Sequence, residues 1–353
     1  MIRRRQDQRG SFLVMTSVLL AVLSLLVIGV SHRGQLELRL VAYDVGRTQA
    51  RLAVRAGMQR VLELLAKDRN TFDALNEPWA SNQPAFERQA VWPGQTLFTV
   101  AYDTVVDRET HAVYGVQDEQ SRLNLNAASP DMIAALPGMD LDVARAIVAF
   151  RADADTTDPA ISQQMRSDQN YYQSLSPAYT TKGKAYESLA EVALVRGVTP
   201  ERFAVVSAFC TVYATGTGAV NINTAPPDVV RALRITHPQR GVIGLSEAFV
   251  NALLRYRRGN DGVAGTADDG VFQRAEDILQ LAQNPQWPGP VLQDDIEVLG
   301  VLVGAQQVGV TSSAARIRVE GRTTDGAVIA VAEIVVLRGA AGTTPRVVAW
   351  RWE

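Results

Sequence analysis

From Gly10 to His32 the chain carries no Lys, Arg, Asp or Glu, and most of its positions are apolar. About 20 such residues suffice to cross a bilayer as a helix. Beyond this run the pattern becomes periodic. Leu36, Leu40, Val41, Val45, Leu52, Ala53, Ala56, Val61, Leu62 and Leu65 recur at roughly helical spacing, with Arg39, Arg47, Arg51, Arg55 and Arg60 on other faces. The two segments together predict one helix from about Ser11 to about Ala66, some 80 Å long at 1.5 Å per residue. Its first half suits lipid or neighbouring rods; its second half suits a domain.

Further along, the period shortens to that of strands. Leu97–Tyr102 and His111–Val116 read as a hairpin, and the apolar run Ala204–Tyr213 as a further strand. Ile317–Glu320, a turn at Asp325–Gly326, Val328–Leu337 and Val347–Trp352 make a C-terminal set. The five tryptophans, Trp79, Trp92, Trp287, Trp350 and Trp352, are expected in core or helix-to-sheet contacts, and Cys210 as a buried small hydrophobe.

Between these strands lies an internal repeat. Residues 122–136 are RLNLNAASPDMIAAL and residues 219–233 are AVNINTAPPDVVRAL. Each has an Asn-apolar-Asn strand, a Pro-Asp helix start and an apolar helix, which predicts two related helical lobes. Ser129 is placed to cap the first helix; Pro226 offers no such side chain. A second helix follows in each lobe, after Leu136-Pro137-Gly138-Met139 in the first, a turn of helix-hairpin-helix type. In DNA-binding versions such hairpin amides hold phosphate, but Asp140 and Asp142 follow it here. Residues 122–300 carry 15 Lys and Arg against 20 Asp and Glu, so the structural reading is preferred and no nucleic acid is expected.

Composition narrows the picture further. At 353 residues with 47% hydrophobic positions there is room for about two domains with real cores. The net charge of −2 gives no global attraction for nucleic acid. One cysteine excludes an intramolecular disulfide framework, and His32, His111 and His237 lie too far apart for metal-ligand spacing. No nucleophile–base pair or phosphate-binding Gly loop stands out, so an enzyme is not expected.

The basic residues Arg3, Arg4, Arg5 and Arg9 keep the N-terminus cytoplasmic and export the chain beyond the span. Three kinds of segment fit. A secretory signal would have a shorter apolar core and a small-x-small cleavage site, which Ile28-Gly29-Val30-Ser31 matches poorly. A plain anchor fits the length. The unbroken helix beyond the span favours a type IV prepilin-like leader ending in Gly.

Four pieces then occur in one order: Arg9-Gly10-Ser11-Phe12-Leu13; Ala56-Gly57; Asp73-Ala74-Leu75-Asn76-Glu77-Pro78-Trp79-Ala80; and Gln117-Asp118-Glu119-Gln120-Ser121-Arg122-Leu123-Asn124-Leu125-Asn126. In these the chain resembles the type II secretion minor pseudopilin K family (general secretion pathway protein K). The resemblance implies processing between Gly10 and Ser11 by prepilin peptidase. Most pilins carry Glu at mature position five, where this chain has Met15, which suits a subunit with none above it to pair with. It further implies an inner-membrane, single-pass protein at the pseudopilus tip, with the I and J minor pseudopilins as partners.

The implied fold is α+β: a pilin-like long N-terminal helix packed on an antiparallel sheet, with a large inserted two-lobed α-helical domain of helix-hairpin-helix, SAM-like type. The expected divisions are a leader over 1–10, the helix over 11–66, and pilin-like chain over 67–122. The first lobe then occupies 123–200, a return strand of the pilin-like domain 201–220, the second lobe 221–305, and C-terminal strands 306–353. In the second lobe, Arg258 to Gly270 offers hard oxygen ligands in Asn260, Asp261, Asp268, Asp269 and the Thr266 carbonyl, within a Gly-rich loop. A solvated Asp-Gly turn is the plain alternative; family members that bind calcium in this domain make it a candidate structural calcium site. A membrane-anchored DNA-binding protein of competence type is the other function considered.

Overall fold

A computed structural model describes residues 9–92, 94, 96–106, 109–214, 218–339 and 343–353. Most of the leader, residues 1–8, lies outside the described residues. One helix runs from Arg9 to Lys67, 59 residues, or about 88 Å. It closes with Lys67 and Arg60 both on Glu63, at 2.5 and 3.0 Å, and a basic last turn complements the helix dipole.

From Phe12 on, the helix is buried only beyond Val45, through Gly46, Ala50, Ala53, Val54, Gly57, Met58, Val61, Leu62 and Leu65. That three-to-four spacing is one stripe, and it lies on an antiparallel sheet. The sheet order is Gln89–Trp92, Thr96–Val100, Ala314–Thr323, Ile329–Leu337 and Arg346–Trp352. One edge of the long strand Ala314–Thr323 serves two partners: Val100 lies opposite Val319, and Asp118 of the short strand Gln117–Asp118 lies opposite Ala315. Phe98, Val100, Ile317, Val319, Ile334 and Val336 form one core with the helix, and Ile317 and Val319 alternate with Arg316, Arg318 and Glu320.

Two glycines set the helix-to-sheet distance. A Cβ on Gly57 would meet Val319 Cγ1 at 2.7 Å and Phe98 Cδ2 at 2.9 Å; one on Gly321 would strike the Ala50 carbonyl and lie 2.9 Å from the Val54 nitrogen. At Gly321 the strand backbone therefore lies on the helix backbone, and at Gly57 the Val319 and Phe98 side chains pack directly on the helix.

Between Asp118 and Ala314 the chain builds a second core, running from Leu123 and Leu125 through Ile147, Phe249 and Leu253 to Leu302. The repeat extends much further than its 15-residue signature. Leu123–Asn124 pairs in parallel with Cys210–Thr211, and Val220–Asn221 pairs in parallel with Val308–Gly309. Each lobe thus leaves on one short strand and returns beside it. Inside each come a short helix (Pro130–Ala134; Pro227–Ala232), an 11-residue helix (Leu141–Arg151; Glu247–Arg257), a 3₁₀ segment (Leu189–Leu194; Ala275–Gln283) and a closing helix (Pro200–Phe209; Gln293–Gly304). The side-chain ties repeat too. Asn126 Oδ1 accepts the Tyr186 N–H and its Nδ2 donates to the Tyr186 carbonyl, as Asn223 does with Phe272. Arg151 donates to the Ala128 carbonyl, as Arg257 does to that of Ala225. Ser129 caps its helix through the Met132 N–H, whereas Pro226 makes no side-chain cap.

Three strand assignments need correcting. Among the described residues, the expected return strand over 201–220 does not join the sheet. Pro200–Phe209 is a helix, started by Thr199 as cap and Pro200 in its first turn, and the strand residues described in that span are Cys210–Thr211 and Val220, which pair within the lobes. Its β-branched and aromatic composition gave a strand signal that the cap overrode. The hairpin is Tyr102–Val106 with Glu109–Val113, while Thr96–Val100 pairs with Gln89–Trp92 and the long strand instead. Cys210 is buried as expected. Trp79 is buried, and Trp287 stacks near Phe249 and Tyr256, at 5.3 and 5.7 Å.

Full-length Gly321→Val in detergent should unfold with a loss of about 1–3 kcal/mol, the usual effect of overpacking. Gly29→Ala, on the bare part of the helix with nothing near its Cβ, should leave the urea midpoint unchanged.

Candidate functional site

From Phe12 to Val45 the long helix is bare. Phe12, Leu19, Leu26, Leu38 and Leu40 are all exposed, and Met15 is 70% exposed. The helix is long and apolar enough to cross a membrane. The Thr16 hydroxyl is satisfied within the helix by the Phe12 and Leu13 carbonyls, at 3.1 and 2.9 Å, as lipid requires. Gly10 and Ser11 stand in its first turns. Leu36, Val41, Tyr43, Val45 and Leu52 continue the exposed apolar surface past the span. An apolar face of this length in water marks a protein contact or a membrane contact.

The segment Gln117–Arg122 is where sheet and both lobes meet. Glu119 is fully buried. It accepts from Arg316 on the long strand, from the Thr211 hydroxyl at the end of the first lobe, and from Arg122 at 3.5 Å. Burial works to raise its pKa, but the Arg122 and Arg316 guanidiniums outweigh it and hold the carboxyl below the usual range. Asp118 reaches the second lobe, accepting from Asn221 Nδ2 at 3.0 Å and the Thr224 hydroxyl at 2.5 Å. There burial prevails and pushes the carboxyl up. Gln120 donates to the Ala219 carbonyl and accepts from the Ser313 N–H.

A second tie joins the helix end to the sheet. Arg338 holds both Asp68 and Asp73, and its guanidinium lies 5.6 Å from the Trp79 ring centroid. Glu77 of the Glu-Pro-Trp-Ala segment accepts from the Ala74 N–H at 2.9 Å and Trp79 Nε1 at 3.1 Å. The Asp73 carbonyl in turn receives Asn221 and Asn223 of the second lobe. Asp68, Asp73 and Glu77 converge closely enough to hold a metal, but Arg338 already supplies the positive charge to the two aspartates. Nothing in the spacing of these residues foretold the cluster, because Arg338 lies 270 residues beyond Asp68.

The loop Arg258–Gly270 folds around its own carboxylates. Asp268 Oδ2 accepts from the Asn260 and Asp261 N–H groups at 2.6 and 3.2 Å, and Asp269 Oδ2 from the Gly265 N–H at 2.7 Å. The Thr266 hydroxyl lies 2.7 Å from Asp268 Oδ1 and 3.3 Å from Asp269 Oδ1. Asp268, Asp269 and Thr266 are thus brought together; Asp261 turns away to the Val263 N–H at 2.7 Å. The Thr266 carbonyl accepts from the Asp269 N–H. Gly259 has φ +61°, and a Cβ there would lie 2.5 Å from Asp268 Oδ2. The Thr266 hydroxyl and the neighbouring main-chain amides hold Asp268 below its usual pKa, while burial raises Asp269. Two adjacent carboxylates with a hydroxyl and carbonyls fit a hard cation in donor chemistry.

Asp140 caps the following helix through the Val143 N–H at 2.9 Å and is itself paired with Arg202.

Glu119→Ala should cost about 3–5 kcal/mol in urea unfolding of the full chain, because it leaves Arg122 and Arg316 buried without their carboxylate. Removing the solvent-exposed Glu63 from its pairs with Arg60 and Lys67 should leave the midpoint in place.

Against known proteins, no family model matches the chain. It is 26% identical to type II secretion system protein K of Aeromonas hydrophila over 265 residues, covering 68% of this chain and 74% of that protein. Its fold matches a chain of the GspK-GspI-GspJ complex from the enterotoxigenic Escherichia coli Type 2 Secretion System, with a TM-score of 0.56 at 16% identity. The match covers 92% of this chain and 99% of that one. With a long helix on an antiparallel sheet, a helical insert and this sequence match, the chain resembles the type II secretion minor pseudopilin K family.

Proposed function

We propose that the protein is a minor pseudopilin of a type II secretion system that sits at the pseudopilus tip and initiates its assembly, supporting export of folded proteins across the outer membrane. The observation that carries this reading is the divided helix: bare from Phe12 to Val45 and without a charged residue as far as His32, then seated on the sheet from Gly46. A subunit so built is inserted in the inner membrane with its N-terminus cytoplasmic and its domains periplasmic. It offers the free helix face to other subunits. The insert widens the head beyond what a fibre body would pack, and Met15 removes the carboxylate through which a subunit would answer one above it. The structural neighbour's complex with GspI and GspJ supports the I and J minor pseudopilins as partners.

Prepilin peptidase cuts between Gly10 and Ser11 in this reading. Gly10→Val should keep the leader, read as an unshifted mass by mass spectrometry of the membrane-extracted protein; a variant trimmed like the wild type would contradict the assignment.

The same reading gives the loop Arg258–Gly270 a structural calcium ion, held by Asp268, Asp269 and main-chain oxygen, with Asn260, Asp261 and Thr266 at hand. The ion would neutralise adjacent carboxylates and fix the loop against Ser81 and Leu75, beside which Gly265 lies. Calcium should raise the melting temperature of the full-length protein, and Asp268→Ala should abolish the increase. No calcium-dependent change in the wild type would remove the ion from the account.

A further inference from the structure

Arg257 is a buried cation that the fold answers with a carbonyl rather than a carboxylate. It ends the helix Glu247–Arg257 and is 7% exposed. It donates to the Ala225 carbonyl at 2.6 Å, and its Nε has no partner. Among the described residues no carboxylate lies within ion-pair distance of it; Asp269 is the acidic group whose field reaches it. Burial lowers its pKa to about 10. Arg316 and Arg338, comparably enclosed, each hold two carboxylates. A guanidinium taken out of water without a counter-charge is expensive, and its anion is expected from elsewhere.

Arg257 lines a cavity between the second lobe, the junction segment and the hairpin strand Tyr102–Val106. Arg122 and Arg258 line it too, with Thr224 and Tyr102. The opposing charge on its wall is Asp118, already engaged by Asn221 and Thr224. Burial holds the Tyr102 hydroxyl neutral, its pKa pushed up to about 12. The equivalent tie in the first lobe, Arg151 to Ala128, also leaves Nε without a partner. Arg258, which follows Arg257, adds a guanidinium here that the first lobe lacks, since Ala152 follows Arg151. From here the surface continues as a mainly apolar trough past Leu75, Ala112, Val113 and Val263, sharing Tyr102 and Arg258 with the cavity.

We propose that this cleft binds an extended protein segment, seating one carboxylate, from an Asp, a Glu or a C-terminus, against Arg257 and Arg258 while apolar neighbours lie along the trough. Planar guanidinium groups match a carboxylate in geometry as well as charge. The trough selects for a chain that carries apolar side chains beside the acid, and a free anion would leave it uncovered.

The test uses full-length protein in neutral detergent and a fluorescein-labelled, end-blocked peptide Leu-Val-Glu-Leu-Val, with its Gln twin as control for detergent and apolar binding. At constant ionic strength, polarisation should show the Glu peptide binding about tenfold or more tightly than the twin, the effect of one charge-assisted pair. Arg258→Gln and Arg257→Gln should erase the difference, while Arg255→Gln, an exposed neighbour, should keep it. Because Arg257 also ties the lobe together, its variant counts only with an unchanged melting temperature; Arg258→Gln, which makes no such tie, carries the test otherwise. Equal binding of the two peptides by wild type would overturn the proposal, as would a preference surviving in Arg258→Gln. Inorganic phosphate displacing the Glu peptide would support the shared cavity. Phosphate binding without any peptide preference would mark a small-anion site and overturn the protein segment.

Discussion

One helix serves two solvents, and the rest of the molecule is arranged around that constraint. Up to Val45 none of the described residues covers it, and its charge-free run as far as His32 suits lipid or other protein. From Gly46 the same rod is the central support of a sheet. The change happens without a break in the helix, so the sheet must come to the helix rather than the reverse. Gly57 and Gly321 permit this by removing the two side chains that would hold the backbones apart. Arg338 then clasps the helix end through Asp68 and Asp73.

The insert hangs from a six-residue junction. Asp118 and Glu119 are adjacent in sequence but serve opposite purposes. Glu119 is an ionised counter-charge shared by Arg122 and Arg316, and Asp118 is a hydrogen-bond acceptor for the second lobe. The Asn-apolar-Asn strands complete the frame, because Asn221 and Asn223 reach back to the Asp73 carbonyl in the pilin-like part. Buried polar groups paired in this way set the orientation of one unit against another more sharply than apolar packing does. The duplication supplies both lobes with the same internal clamps, Asn126 on Tyr186 and Asn223 on Phe272. The second clamp also reaches the pilin-like part, through Asn223 Nδ2 on the Asp73 carbonyl.

The long helix, the C-terminal strands and the existence of two lobes were legible in the sequence, because each rests on local periodicity or on a repeated word. Ser129 and Pro226 also behaved as their side chains dictate. What was not legible depends on distance along the chain. Ala204–Tyr213 has strand composition, yet Thr199 and Pro200 start a helix there, and the alternation test had no means of weighing the cap. The pairing of Arg338 with Asp68, or of Glu119 with Arg316, joins residues some 200 to 270 positions apart. The Asp-rich loop was visible as a word; that Asp268 and Asp269 share Thr266 while Asp261 turns aside came from the folded loop.

The central claim is that the bare helix face and the widened head belong to a subunit that works in a complex of minor pseudopilins. The most direct measurement is purification of the tagged full-length protein from the membranes of its own organism, with identification of the retained proteins by mass spectrometry. The account predicts the I and J minor pseudopilins in stoichiometric amounts, and their loss when charged residues replace Leu38 and Val41 on the free face. Recovery of the protein alone, with the I and J components present in the same membranes but not retained, would contradict it.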